Sequence, residues 1–155
     1  MKLTGALRKA AGAALRGSKG ARLQVGALPY RRKADGSTEV LLVTTRGTGQ
    51  WMIPKGWPMR GKSAREAAAQ EAWEEAGVRG TTGKREIGRF RHDKSDWLRG
   101  SVPCVIAVYP LAVTQEAELW PEHGQRSRGW FSLDDASARV RSPALAVMIA
   151  GAGTL

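Results

Sequence analysis

The chain has one cysteine, Cys104, among its 155 residues, which excludes an intrachain disulfide. Cys104 lies in the apolar run VPCVIAVYPLAV, so a buried structural thiol is expected rather than a nucleophile. No apolar stretch approaches the roughly 18 residues of a membrane-spanning helix. His92 and His123 have no partner at metal-ligand spacing. Internal repeats, heptads and low-complexity blocks are absent. The basic-aromatic interleaving and zinc spacing of common nucleic-acid modules are absent too, which makes a nucleic-acid partner unlikely on sequence grounds. Negative charge is also short: Lys+Arg 25 against Asp+Glu 14 leaves a net charge of +11. Such a surface favours anionic partners, whether nucleic acid, acidic membrane or small polyphosphate.

What is present reads as one domain with a real core. Apolar content of 42% and charged content of 25% match a soluble globular protein. Residues 1–20 carry Lys2, Arg8, Lys9, Arg16 and Lys19 and lack the continuous apolar centre of a signal peptide. They read as a flexible basic arm ahead of a domain at 21–155, with the cytoplasm as the expected compartment.

The segments 22–32 and 38–46 read as strands joined by a turn centred on Asp35-Gly36. A short strand follows at 50–53, before Pro54 and Gly56 break it. Segments 84–93, 101–113 and 128–131 complete the strand set, and 114–125 reads as loop. Ser132 caps a second helix with Asp135 at the capping-box third place, and Pro143 opens a last helix to Ala150. Strands and helices do not alternate regularly, so an α/β fold with a mixed sheet is expected, not a doubly wound parallel one.

The stretch 63–78 is the most informative. Ser63 is an N-cap with Glu66 three residues on, six alanines favour helix, and Gly77 is a stop. On that helix, Glu74 lies at about −60° and Glu75 at about +40° from Glu71, so the three acids share a face. Trp73 lies at about 200°, where it is expected to enter the core, and Glu66 at about 220°, away from the cluster. Acids spaced i,i+4 near a helix C-terminus repel one another and oppose the macrodipole. A hard divalent cation would relieve the conflict, and a solvated acidic face is the alternative.

At these residues the chain resembles the Nudix hydrolases. That family's box is Gly, any five, Glu, any seven, then Arg-Glu-aliphatic-x-Glu-Glu-x-Gly-aliphatic. Gly56, Glu71, Glu74, Glu75, Gly77 and Val78 fall at the required spacings. Lys62, Gln70 and Ala72 depart from it, standing where the family has Glu, Arg and an aliphatic residue. The first two changes remove opposite charges together, so the box reads as a variant with its metal acids intact.

The resemblance implies an α/β/α sandwich around a mixed sheet and metal-dependent hydrolysis of a diphosphate linkage. It implies that Gly56, Glu71, Glu74 and Glu75 hold Mg²⁺ or Mn²⁺, with Glu71 or Glu75 acting on the attacking water. In some members the base sits on a later loop, where Glu116, Glu118 and Glu122 stay open as choices. The segments EVLLVTTR, WMIPKG, EEAGVRG and RSRGWFSLDDA resemble the diphosphoinositol polyphosphate phosphohydrolase branch, which also takes dinucleoside polyphosphates. Arg46, Lys55, Arg60, Lys62, Arg126 and Arg128 are the expected phosphate clamps, with Lys62 facing substrate. Trp57 and Trp97 read as core or loop packing, with base stacking as the alternative. A silent nucleotide sensor and a basic nucleic-acid-binding protein are the rival functions.

Overall fold

The computed structural model describes residues 20–155 apart from 97 and 99. The expected basic arm, up to residue 19, and Trp97 lie outside the described residues. Eight strands form one sheet: β1 (Arg22–Arg32), β2 (Thr38–Thr44), β3 (Trp51–Met52), β4 (Lys55–Gly56), β5 (Val78–Thr82), β6 (Gly88–Asp96), β7 (Gly100–Glu116) and β8 (Arg128–Ser132). The main order is β3-β2-β1-β7-β5, with β4 on β1, β6 on β7 and β8 on β2. Among the described strands only β1 and β7 pair in parallel, so the sheet is mixed, as the element order predicts.

Strand alternation divides the core between two faces. Leu23, Val25, Ala27, Leu41 and Val43 pack under helix α1 (Ala64–Ala76), whose Ala67, Ala68, Ala72 and Ala76 face them. Leu28, Val40, Leu42, Phe90, Ile106 and Val108 pack under helices α2 (Leu133–Arg139) and α3 (Pro143–Ala150), through Ala136, Leu145 and Ile149. A helical layer thus covers each face, giving the expected α/β/α sandwich. Cys104 is fully buried within β7.

Several expectations need correction. β4 and β5 did not register in the sequence as strands. β5 carries Gly80 where the register to β7 shifts, and a side chain there would strike the Ala112 carbonyl. Glycine is required for that close approach, yet in sequence it imitates a turn. β6 begins four residues later than expected, and β7 continues to Glu116 rather than ending at 113. Trp73 does not enter the core. The alanine face is the buried one, and Trp73 stays half-buried with the Arg79 guanidinium 3.9 Å above its ring.

Candidate active site

Helix α1 has the two ends its sequence specifies. The Ser63 hydroxyl accepts from the Glu66 N–H at 3.3 Å and donates to Glu66 Oε1 at 2.8 Å, and the Ser63 backbone N–H bonds the same carboxyl, as a capping box requires. Gly77 adopts φ 67° and closes the helix. The carbonyls of the last turn lack helical partners, and segment 117–128 supplies them. The Glu122 N–H donates to Glu74 O at 3.0 Å, Trp120 Nε1 to Glu75 O at 3.2 Å, and Arg128 Nη1 to Ala76 O at 2.8 Å. Arg128 also stacks 3.9 Å over Trp120 and donates to Ala117 O at 2.6 Å. Its positive charge sits at the negative end of the helix dipole, where a cation is stabilising.

This fastening delivers Glu122 to the acidic face of α1. Arg126, with its side chain only 10% exposed, links the parts: its Nη2 lies 3.4 Å from Glu75 Oε1, and its Nε donates to Glu122 Oε1 at 3.0 Å. Its third contact is Nη1 to Thr44 O at 3.2 Å, which ties the cluster to β2. On the other side stands β4. Its Lys55 N–H points at Glu75 Oε2, 3.4 Å away. The Glu71 carboxylate occupies the space that any side chain on Gly56 would need, which explains glycine at the start of the box.

Glu71 and Glu75 carry more negative charge than their surroundings balance. Burial, then the charges of Glu75, Glu74 and Glu122, push the Glu71 carboxyl up to about 8. Burial lifts Glu75 to about 7, although Arg126 and Lys55 pull it down. Burial also pushes the Lys55 ammonium down. For both carboxyls desolvation outweighs the available cations, so their ionised forms are disfavoured unless more positive charge arrives. An all-oxygen donor set of this kind suits a hard divalent ion. Among the described residues, no three His, Cys, Asp or Glu side chains already converge as a closed metal cage. Glu74 Oε1 accepts from Gln70 Nε2 at 3.0 Å, so the residue replacing the family's arginine retains an acid partner.

Glu71, Glu75 and Glu122 open into a cleft of about 830 Å³, which Gly56, Lys55, Arg46 and Arg126 also line, whereas Glu74 does not line it. Residues 20–150 match the family model described as NUDIX domain. This chain belongs to the Nudix hydrolase family. Nudix hydrolase 16, mitochondrial, of Arabidopsis thaliana is 35% identical over 137 residues, covering 80% of this chain and 75% of that protein. A diphosphoinositol polyphosphate phosphohydrolase of Homo sapiens is 35% identical over 107 residues, 67% of this chain and 55% of that one. The solved Ap4A hydrolase of C. elegans superposes with a TM-score of 0.59 over 85% of this chain and 96% of that one. At 20% identity that likeness demonstrates the shared Nudix fold.

Within this Nudix domain, not every residue expected at the site reaches the cleft. Arg60 is exposed, and neither it nor Lys62 lines the cleft. The turn closed by Lys62 N–H on Met59 O at 3.1 Å, with Gly61 at φ 80°, leaves Lys62 beside Glu66, whose carboxyl it helps to pull down after the larger effect of Ser63. Arg128 is engaged at the helix end, and its Nη2 lies 3.5 Å from Glu116. Of the three loop acids left open, Glu122 alone lines the cleft. Glu116 accepts from Trp130 Nε1 at 3.1 Å, and Glu118 is exposed.

Gln24, His92 and Lys94, which line the cleft together with Trp57, were not expected there. Gln24 had a signal: it is the lone polar residue inside the otherwise apolar run LQVGALP. Trp57 follows β4 in a loop, half-buried, and lines the cleft with Arg22 4.6 Å and Lys94 5.2 Å from its ring centre.

Proposed function

We propose that this Nudix hydrolase cleaves a diphosphate linkage in a polyphosphorylated small molecule, a dinucleoside polyphosphate or a diphosphoinositol polyphosphate. The reading rests on one observation: Glu71 is half-buried against Gly56 and Glu75 is buried beside the Lys55 N–H and Arg126, in a cleft also lined by Lys55, Arg46 and Arg126. Mg²⁺ or Mn²⁺ is the expected counterion, held by Glu71, Glu74, Glu75 and the Gly56 carbonyl. When bound, such an ion neutralises phosphate charge and lowers the pKa of a water molecule.

The chain's own groups supply position and charge. Lys55 and Arg46 draw phosphate oxygens into the cleft, while Arg126, whose three nitrogens face Glu122, Thr44 O and Glu75, holds the acids in place. Glu71 or Glu75 orients or deprotonates the attacking water, and Glu122, which lines the cleft, is the loop acid that could serve as base instead. Fixed charges that need little reorganisation are what phosphoryl transfer chiefly requires.

The test is incubation with Mg²⁺ and a panel of dinucleoside polyphosphates, diphosphoinositol phosphates and nucleotide sugars, with phosphate-containing products measured. Release from the first two classes is expected. Binding without turnover would identify a silent sensor. Salt-dependent affinity for DNA or RNA without hydrolysis would identify a nucleic-acid-binding protein.

A further inference from the structure

The acids of the site sit at a weak point of helix α1. Glu74 and Glu75 lie in its last turn, whose carbonyls have no partners inside the helix and where neighbouring carboxyls repel. Yet the successive carbonyls of Glu74, Glu75, Ala76 and Gly77 are all taken, each by a donor from segment 117–128. The Glu122 N–H donates to Glu74 O at 3.0 Å, Trp120 Nε1 to Glu75 O at 3.2 Å, Arg128 Nη1 to Ala76 O at 2.8 Å, and the Ala117 N–H to Gly77 O at 2.8 Å.

The fit is close on both sides. A side chain on Gly77 would meet the Trp120 ring at 2.6 Å and Arg128 Nη1 at 2.8 Å, so the glycine that ends the helix also makes room for its fastening. None of residues 117–125 is buried, so that stretch has no core anchor of its own. Its fixed point is Arg128. Strand β8 pairs this residue with Val43 of β2, its guanidinium stacks 3.9 Å over the Trp120 ring, and its Nη2 donates to Ala117 O at 2.6 Å.

We propose that Trp120 and Arg128 are positioning residues for the hydrolysis. Neither lines the cleft. Together they hold the last turn of α1 to the segment that carries Glu122, and so fix the separation between the helix acids and the loop acid. Their effect belongs to the rate of the chemical step, not to the capture of phosphate, because a small displacement of a reacting group costs a large factor in rate. The proposal rests on the pyrophosphohydrolase reading above and holds whichever of Glu71, Glu75 and Glu122 acts on the water.

The test compares Arg128→Met, Arg128→Lys and Trp120→Phe with Ser63→Ala, which loosens the opposite end of the same helix. Turnover is measured in Mg²⁺ on bis(5′-adenosyl) tetraphosphate and on a diphosphoinositol pentakisphosphate, at a temperature where every variant is folded. Hydrogen exchange at the Ala117 and Glu122 amides is measured in EDTA without substrate. Arg128→Met should lower kcat by about ten- to a hundredfold with KM within about twofold, and both amides should exchange about tenfold faster. Arg128→Lys should behave like Arg128→Met, because it keeps the charge and loses the planar fork that spans Ala76 O and Ala117 O. Trp120→Phe keeps a ring beneath Arg128 and deletes only the donor to Glu75 O, so it should move the same quantities less, and it carries the test if Arg128→Met does not fold. Ser63→Ala should lower Tm and leave kcat at the parent value.

A rise in KM for Arg128→Met that Arg128→Lys restores would make Arg128 a phosphate clamp and overturn the proposal. Unchanged exchange at both amides would overturn it too. So would a kcat loss in Ser63→Ala equal to that in Arg128→Met, because the effect would then follow stability alone. If the parent hydrolyses neither substrate, the hydrolase reading fails, and the exchange rates still decide whether Arg128 holds the last turn of α1.

Discussion

Glu71→Gln should stabilise the metal-free protein at high pH. The Glu71 carboxyl is raised from 4.5 to about 8 in the folded state. A group raised on folding binds its proton more tightly in the native than in the unfolded chain. Between those two values the unfolded state gives up protons first, so stability falls as pH rises through the interval. Below the unfolded value both states are protonated and the penalty vanishes. Each tenfold change in proton affinity is worth about 1.4 kcal/mol, which bounds the cost of ionising Glu71 at roughly 4–5 kcal/mol. Glu71 remains partly open to solvent, so screening reduces this to about 2 kcal/mol. For a domain of this size that is a shift of roughly 4–8 °C in Tm.

The assay is thermal unfolding of parent and variant in EDTA at about pH 5 and about pH 8.5, then with Mg²⁺. The parent should lose stability at the higher pH more steeply than the variant. Mg²⁺ should raise the parent's Tm and raise the variant's much less, because the ion binds the native state through the carboxylate the variant lacks. Parallel curves in EDTA, or equal stabilisation of both by Mg²⁺, would refute both the uncompensated charge and its proposed counterion.

Three further outcomes follow from the same geometry. Glu75→Gln should cut turnover by about a hundredfold or more, because it weakens the site that activates water, and steady-state kinetics within threefold of the parent would remove its assigned role. Ser63→Ala should cost about 0.5–2 kcal/mol by removing the N-cap, and an unchanged denaturation midpoint would contradict the capping role. Lys55→Met should raise KM for polyphosphate substrates, whereas Lys62→Glu should leave KM within about twofold, since Lys62 lies beside Glu66. A larger rise for Lys62 than for Lys55 would return Lys62 to the substrate path.

Helix α1 was legible because its signals are local. Ser63 and Gly77 mark its ends, and the spacing of Glu71, Glu74 and Glu75 fixes their common face. The mixed sheet followed from the order of strands and helices, the α/β/α layering was implied by the resemblance to the Nudix hydrolases, and alternate strand residues supply its two cores. Trp73 was misplaced because helical angle says which residues share a face, not which face meets the sheet. The alanines decide that by allowing close approach. Arg128 looked like a phosphate clamp because sequence records a charge without its partners, and its partners are the Ala76 and Ala117 carbonyls. The cleft wall of Gln24 and His92 was illegible for a related reason: the two meet only after β7 pairs β1 on one side and β6 on the other.

The alternation along β1 ties ligand choice to fold in an unequal way. Gln24 faces the cleft while its neighbours Leu23 and Val25 face the alanines of α1. A point substitution at 24 therefore changes the lining of the cleft while the packing beneath α1 stays intact. An insertion or deletion of one residue in β1 cannot do so, because it would turn Val25 toward the ligand and a polar amide toward the core. Diversification of this wall is thus open to exchange of side chains and closed to change in strand length, so new specificities should arise here by substitution and in the surrounding loops by change of length.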